Sequence, residues 1–162
     1  MSDNTIKVAL IGNPNTGKTS VFNALTGLNQ QVGNYPGITV ERKQGNCQLP
    51  LGFKATVLDL PGTYSLNASS VDENVVIELL MNRNDKDFPD VVVLVTDVEN
   101  LKRNLLLFTQ IKDLEIPVIL CINMIDRMQL KGITLDIPFL EKELKTRIAA
   151  VSTRKKPGYC EP

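Results

Sequence analysis

Residues 12–19 read Gly12-Asn13-Pro14-Asn15-Thr16-Gly17-Lys18-Thr19, the pattern G-x-x-x-x-G-K-[ST]. Residues 6–11 before it are a β-branched apolar run of strand length, and residues 18–25 after it read as a helix that stops at Gly27. A glycine-rich turn between strand and helix lets backbone N–H groups curl around phosphate oxygens, and the helix N-terminus adds partial positive charge. The candidate phosphate contacts are Gly12, Asn13, Asn15, Thr16, Gly17, Lys18, Thr19 and Ser20. The Lys18 ammonium is placed to reach β- and γ-phosphates, and the Thr19 hydroxyl to bind Mg²⁺. A chance glycine turn is the bland alternative, and the strand–turn–helix context argues against it.

Three further clusters follow strand-like runs. Residues 54–60 end in Asp59-Leu-Pro-Gly62, where Asp59 can hold Mg²⁺ and the Gly62 N–H can approach a γ-phosphate because no side chain intervenes. Residues 118–122 are followed by Asn123-Met-Ile-Asp126. The Asp126 carboxylate can accept from the N1–H and exocyclic amine of guanine, whereas adenine would leave it unpaired. Asn123 is expected to tie this loop to the phosphate-binding turn, and the apolar stem of Met124 to cover the base. Ser152-Thr153-Arg154 follows residues 148–151, and a backbone N–H there, that of Thr153, is placed to meet the guanine carbonyl oxygen. Thr39 closes residues 28–39, a stretch of Asn, Gly and Pro without periodicity that reads as a loop. Its hydroxyl could join Mg²⁺ and its N–H the γ-phosphate only with GTP bound, which makes the loop a candidate switch. Read singly, Asp59, Asn123, Asp126 and Thr39 are ordinary strand-end or loop residues. Their order behind the phosphate motif gives them weight.

The remaining pattern alternates. Strands are expected at 6–11, 40–49, 54–60, 91–95, 118–122 and 148–151, with 40–49 polar and at a sheet edge. Helices are expected at 18–25, from the Ser70-Val-Asp-Glu73 capping box to about residue 81, at 101–114 and at 140–147. Such alternation predicts an α/β fold with a mostly parallel six-stranded sheet, right-handed crossovers and helices on both faces. Ligands then sit beyond the carboxyl ends of the strands, where every cluster above falls.

Composition narrows the chemistry. The 162 residues are 43% hydrophobic, enough for a full core, and carry 18 basic and 18 acidic side chains, so no basic excess points to nucleic acid. No apolar run is long enough to cross a bilayer and no signal peptide opens the chain, which predicts a soluble piece. Cys47, Cys121 and Cys160 are widely spaced and read as reduced thiols. There is no histidine, so general-base and metal chemistry must come from other groups, and no Fe²⁺ ligand cluster is visible.

Together the five motifs, 12–19, 32–41, 59–66, 123–126 and 151–154, resemble the G1–G5 set of translation-factor-type small GTPases. The run Val-Gly-Asn-Tyr-Pro-Gly-Ile-Thr-Val-Glu at 32–41 is the most specific, and it is similar to the N-terminal G domain of the bacterial ferrous iron transport protein B family. That resemblance implies a Ras-like P-loop GTPase fold that hydrolyses GTP to GDP with Mg²⁺ held by Thr19, Thr39 and Asp59. It implies a catalytic set of Lys18, Thr39, Gly62 and Asn15, in which Asn15 and switch-loop carbonyls hold K⁺ in place of an arginine finger. It further implies that residues 1–162 are the cytoplasmic head of a longer Fe²⁺ transporter at the bacterial inner membrane. Its partners would be guanine nucleotide and the helical and transmembrane domains that follow, with no nucleic acid and no direct membrane contact. A GTPase of tRNA modification or ribosome assembly is a second reading, because such relatives share the P-loop and K⁺ site. A nucleotide-binding module that signals by occupancy is a third. Residues 155–162 are too short and Pro-rich for the C-terminal helix of the family, so that layer is expected to be missing.

Other GTPases place Gln directly after Asp-x-x-Gly, where this chain has Thr63. Slow turnover with a backbone-positioned water follows. Thr63→Ala is therefore expected to lower single-turnover GTP hydrolysis by less than about a hundredfold, the range typical of removing a general base; a larger loss would assign that role to the hydroxyl.

Overall fold

The structure, a computed structural model, describes residues 4–27 and 30–153. Its centre is β1 (Thr5–Gly12), whose alternate side chains are buried on opposite faces of the sheet. Ala9 and Ile11 join one apolar cluster with Leu58, Val76, Leu94, Phe108 and Ile122, while Leu10 joins another with Phe22, Val57, Val95 and Cys121. This two-sided burial is the period-2 geometry of a strand applied to a continuous apolar run. It requires cover on both faces. Helix α1 (Lys18–Thr26) contributes Val21 and Phe22 to the second cluster. Helices α2 (Val71–Met81) and α3 (Leu101–Asp113) contribute Val76, Leu79, Leu80, Leu107, Phe108 and Ile111 to the first.

The sheet has seven strands in the order β2-β3-β4-β1-β5-β6-β7. β4 (Lys54–Asp59), β1, β5 (Val91–Asp97), β6 (Val118–Asn123) and β7 (Arg147–Ala150) run parallel. β3 (Glu41–Gln48) is antiparallel to β4, and β2 (Gln30–Asn34) antiparallel to β3. Leu10 lies opposite Asp59, Gly12 opposite Val95, and Asp97 opposite Asn123. The carboxyl ends of β4, β1 and β5 step outward by two residues each, β5 and β6 end level, and the loops leaving all four lie along one edge of the sheet.

The expected α/β architecture with helices on both faces is present, with four differences. The first is β2, which occupies part of the 28–39 stretch expected as loop and makes seven strands instead of six. Its sequence, Gln-Gln-Val-Gly-Asn, has no buried face; pairing with β3 backbone groups forms it, and composition does not report that. The second follows from it: β3 lies inside the sheet, not at its edge. The third concerns the helix expected at 140–147, which is α5 (Ile137–Leu144). Asp136 starts it by accepting from Phe139 N at 3.0 Å, with Pro138 in the first turn, and Lys145 ends it in a left-handed conformation, so Arg147 already belongs to β7. A short α4 (Met128–Lys131) was also not legible. Ser70 caps α2 as expected, its hydroxyl accepting from Glu73 N at 3.2 Å. Glu73 reaches back to Ser69, whose hydroxyl and N–H hold its carboxyl below the usual carboxylate range. Arg154, Cys160 and the expected C-terminal helix layer lie outside the described residues. No described helix is long and apolar enough to cross a membrane.

Tyr35, just after β2, packs against the larger cluster, with its hydroxyl covered and unpartnered among the described residues. Desolvation by burial pushes this phenol from 10.0 up to about 12, against the opposing pull of Arg42. A folded value above the unfolded one means its contribution is fully present below pH 10.0 and lost as pH rises through about 12. Tyr35→Phe is expected to leave the neutral-pH unfolding midpoint unchanged or raised, because an orphaned hydroxyl is removed, and to delete the latest phenolate transition in an ultraviolet pH titration. A destabilised variant would show that the hydroxyl has a partner.

Candidate functional site

Two backbone restrictions shape the turn after β1. A Cβ on Gly12 would lie 2.5 Å from the Val95 carbonyl oxygen, so the chain can pass β5 there only as glycine. Gly17 has φ +80°, and a Cβ on it would also run into the Asn123 side-chain amide. Gly17 begins α1 without any side-chain cap, and the first turn has no acidic residue. That differs from α2, where Ser70, Asp72 and Glu73 occupy the corresponding positions. The N–H groups opening α1 are therefore left for an external anion. They face a cavity of about 370 Å³ lined by Asn13, Pro14, Asn15, Gly17, Lys18, Thr19 and Gly62.

Inside this rim the Lys18 ammonium donates to Oδ1 of Asp59, with side chains only 11% and 6% exposed. Each charge neutralises the other where water is scarce. A phosphate entering the cavity would compete for Lys18, and a cation for Asp59, so the pair can be replaced by an anion and a metal together. Gly62 is 3.2 Å, measured from its would-be Cβ, from Pro14 Cγ, and Thr63 N donates to Gly12 O at 3.0 Å. The segment after β4 thus lies directly against the phosphate turn. The Thr63 hydroxyl is committed elsewhere: it donates to Ser65 O at 2.7 Å and lies 3.3 Å from Glu73 Oε1.

The other end of the rim is built on Asn123, which is 0% exposed. Its Nδ2 donates to Thr16 O at 3.1 Å, joining the end of β6 to the turn after β1 as expected from sequence. Its Oδ1 accepts from Thr153 N at 3.4 Å, so the N–H expected to face guanine points to Asn123 here. Met124 adopts a left-handed conformation and brings its methyl within 3.5 Å of where a Gly17 Cβ would stand. Asp126 sits in the turn Ile125–Arg127, and the Ser152 hydroxyl donates to its Oδ1 at 2.7 Å. That bond orients the carboxylate, a role for Ser152 that only tertiary contact reveals. Thr39 is exposed between β2 and β3 and does not line the cavity, and Ser20 is exposed on α1. Asp97, at the end of β5, was missed: its carboxylate accepts from Glu99 N and Asn100 N and starts α3. The signal was available as an Asp at a strand end three residues before Asn.

The turn after β1 and the Asn123–Asp126 loop are thus joined through one buried amide, and the family model described as ferrous iron transport protein B matches residues 6–161. The chain belongs to that family. It corresponds to the N-terminal G domain of FeoB. A Fe(2+) transport protein A/Fe(2+) transporter FeoB fusion protein of Porphyromonas gingivalis is 45% identical over 156 residues, 96% of this chain and 18% of the relative. The Fe(2+) transporter FeoB of Leptospira biflexa is 40% identical over 154 residues, 95% of this chain and 22% of the relative. The chain therefore spans about a fifth of the length of these relatives. Among solved structures, the G domain of the T. maritima FeoB iron transporter superposes with a TM-score of 0.84 at 41% identity, covering 93% of this chain and 89% of that one. A mutant of S. thermophilus NFeoB bound to GDP gives 0.83 at 41% identity, covering 93% and 57%.

Asn123→Ala removes the bonds to Thr16 and Thr153 and strands the Thr16 carbonyl in the interior. Folding stability without any ligand is expected to fall by about 1–3 kcal/mol in urea denaturation; an unchanged value would mean that the amide matters only when the site is filled.

Proposed function

We propose that this chain binds GTP with Mg²⁺ and hydrolyses it to GDP, as a switch that regulates Fe²⁺ uptake by the transporter of which it is the cytoplasmic head. One observation carries this reading: the Asn123 amide ties the turn after β1 to the Asn123–Asp126 loop, joining the two motifs in one rim. In it, backbone N–H groups of residues 15–20 and the Lys18 ammonium bind the phosphates, leaving Asp59 free. Asp126, oriented by Ser152, accepts from guanine; Met124 covers the base; and the Thr153 N–H turns from Asn123 to the guanine carbonyl oxygen.

The residues present fit a magnesium ion: the Asp59 carboxylate is paired with Lys18, which lines the cavity together with Thr19, and carboxylate and hydroxyl oxygens are the donors this ion takes. Thr19 and Asp59 would hold it with Thr39, brought in by movement of residues 35–40. Bound there, the ion neutralises developing charge on the phosphate oxygens. The Gly62 N–H approaches the γ-phosphate, and with Thr63 engaged by Ser65 and Glu73, backbone groups orient the attacking water. Asn15, exposed on the cavity at φ 68°, is the residue that would give its side-chain oxygen to K⁺ in this reading. Support for the guanine nucleotide comes from the relatives, several of whose solved structures hold GDP. Support for the iron link comes from relatives named as Fe(2+) transporters, about a fifth of whose length this chain matches. The helical and membrane-spanning parts of the longer protein are then the partners that read the switch.

GTP hydrolysis is to be measured with Mg²⁺ in K⁺ and then in Na⁺ at equal ionic strength, with Asn15→Ala alongside. The expected result is turnover at least about tenfold faster in K⁺, lost in the variant, with GDP still bound, as removal of one transition-state charge partner predicts. Equal slow rates in both salts would remove Asn15 as a cation ligand. Absence of any nucleotide binding would sink the GTPase reading itself.

A further inference from the structure

Asn13 and Asn104 form a side-chain pair outside the contacts described so far. Asn13 is the second residue of the phosphate turn and Asn104 the fourth of α3. They are 4% and 3% exposed, and Asn13 Nδ2 donates to Asn104 Oδ1 at 2.6 Å. The remaining polar atoms, Asn13 Oδ1 and Asn104 Nδ2, are covered and have no partner among the described residues. Such a pair contributes little net stability, because one bond is offset by two desolvated atoms. Apolar side chains would hold α3 against the turn as well or better. What the amides add is direction, since a hydrogen bond forms only within narrow limits of distance and angle.

Direction matters at this place. The turn is tied at Thr16 by Asn123, and the Thr16 hydroxyl donates back to Asn13 O at 3.0 Å. Between these ties lies Asn15 at φ 68°, a conformation that costs a non-glycine residue free energy and persists only when its surroundings enforce it. Asn104 is itself well anchored. Asp97 accepts from Glu99 N and Asn100 N at 3.0 and 2.9 Å, and Asn104 N donates to Asn100 O at 3.0 Å one turn later.

We propose that Asn104 is a positioning residue for phosphate binding: by orienting Asn13 it holds residues 13–16 in the curled form that aims backbone N–H groups into the cavity. Asn104 itself touches no ligand. The inference rests on the reading of that cavity as a nucleotide site.

Fluorescent GDP titration and thermal unfolding of the nucleotide-free protein are compared for wild type, Asn104→Leu, Asn13→Ala and the double variant. Each single variant is expected to bind GDP about tenfold more weakly, the equivalent of one hydrogen bond. The double variant loses no more than the weaker single, because both changes remove the same bond. Its unfolding midpoint stays within about 3 °C of wild type, since both partners of the bond are gone. Unchanged affinity in Asn104→Leu overturns the proposal. So does a double-variant loss equal to the product of the singles, or a midpoint that falls in step with affinity, which would make the pair mere packing. A wild-type protein that binds no GDP would instead overturn the nucleotide reading beneath it, an outcome distinct from any of these.

Discussion

Backbone hydrogen bonds hold β1 between β4 and β5 with Leu10 opposite Asp59 and Gly12 opposite Val95, and everything at the rim depends on that register. A shift of one residue would exchange the two buried faces of β1, placing Leu10 where Ala9 and Ile11 now pack. Such a shift would also separate the phosphate turn from Asp59. The same register continues through β5 and β6, where Asp97 lies opposite Asn123. Core packing and the placement of the strand ends are therefore specified by one set of contacts.

On this frame the electrostatics are local. The chain has zero formal net charge, so no long-range field draws a ligand in. Attraction comes from the uncapped start of α1 and from Lys18, held by Asp59 at the same rim. The Lys18–Asp59 pair keeps two charges satisfied in a poorly hydrated place without a ligand, and both charges are the ones an anion and a metal would claim. The segment after β4 is coupled to this exchange by Thr63 N on Gly12 O, and to α2 by the Thr63 hydroxyl beside Glu73. Movement of either element thus reaches the phosphate turn directly.

Residues whose chemistry is tied to a strand end were readable in advance. Gly12, Gly17, Lys18, Asp59, Asn123 and Asp126 stand where the pattern put them, because a parallel sheet delivers its loops to one edge whatever the details. β2 was not readable, since its polar residues bury nothing and its pairing depends on a neighbour in space. The Asp136 cap and Pro138 start α5 three residues ahead of the expected 140, a boundary set by capping rather than by apolar periodicity. Thr39 stands exposed between β2 and β3 and is not among the residues lining the cavity; its expected role applies only with GTP bound.

Sequence alone determined the class of fold and which motif residues stand at the ends of its strands, because periodic burial and motif spacing are local properties that each segment carries with it. Only the tertiary structure decided which groups share a hydrogen bond: Lys18 with Asp59, Ser152 with Asp126, Thr153 with Asn123, and Asn13 with Asn104. Those partners are 26 to 91 residues apart. Their angles and distances follow from the packing of whole elements, which no single stretch of chain encodes.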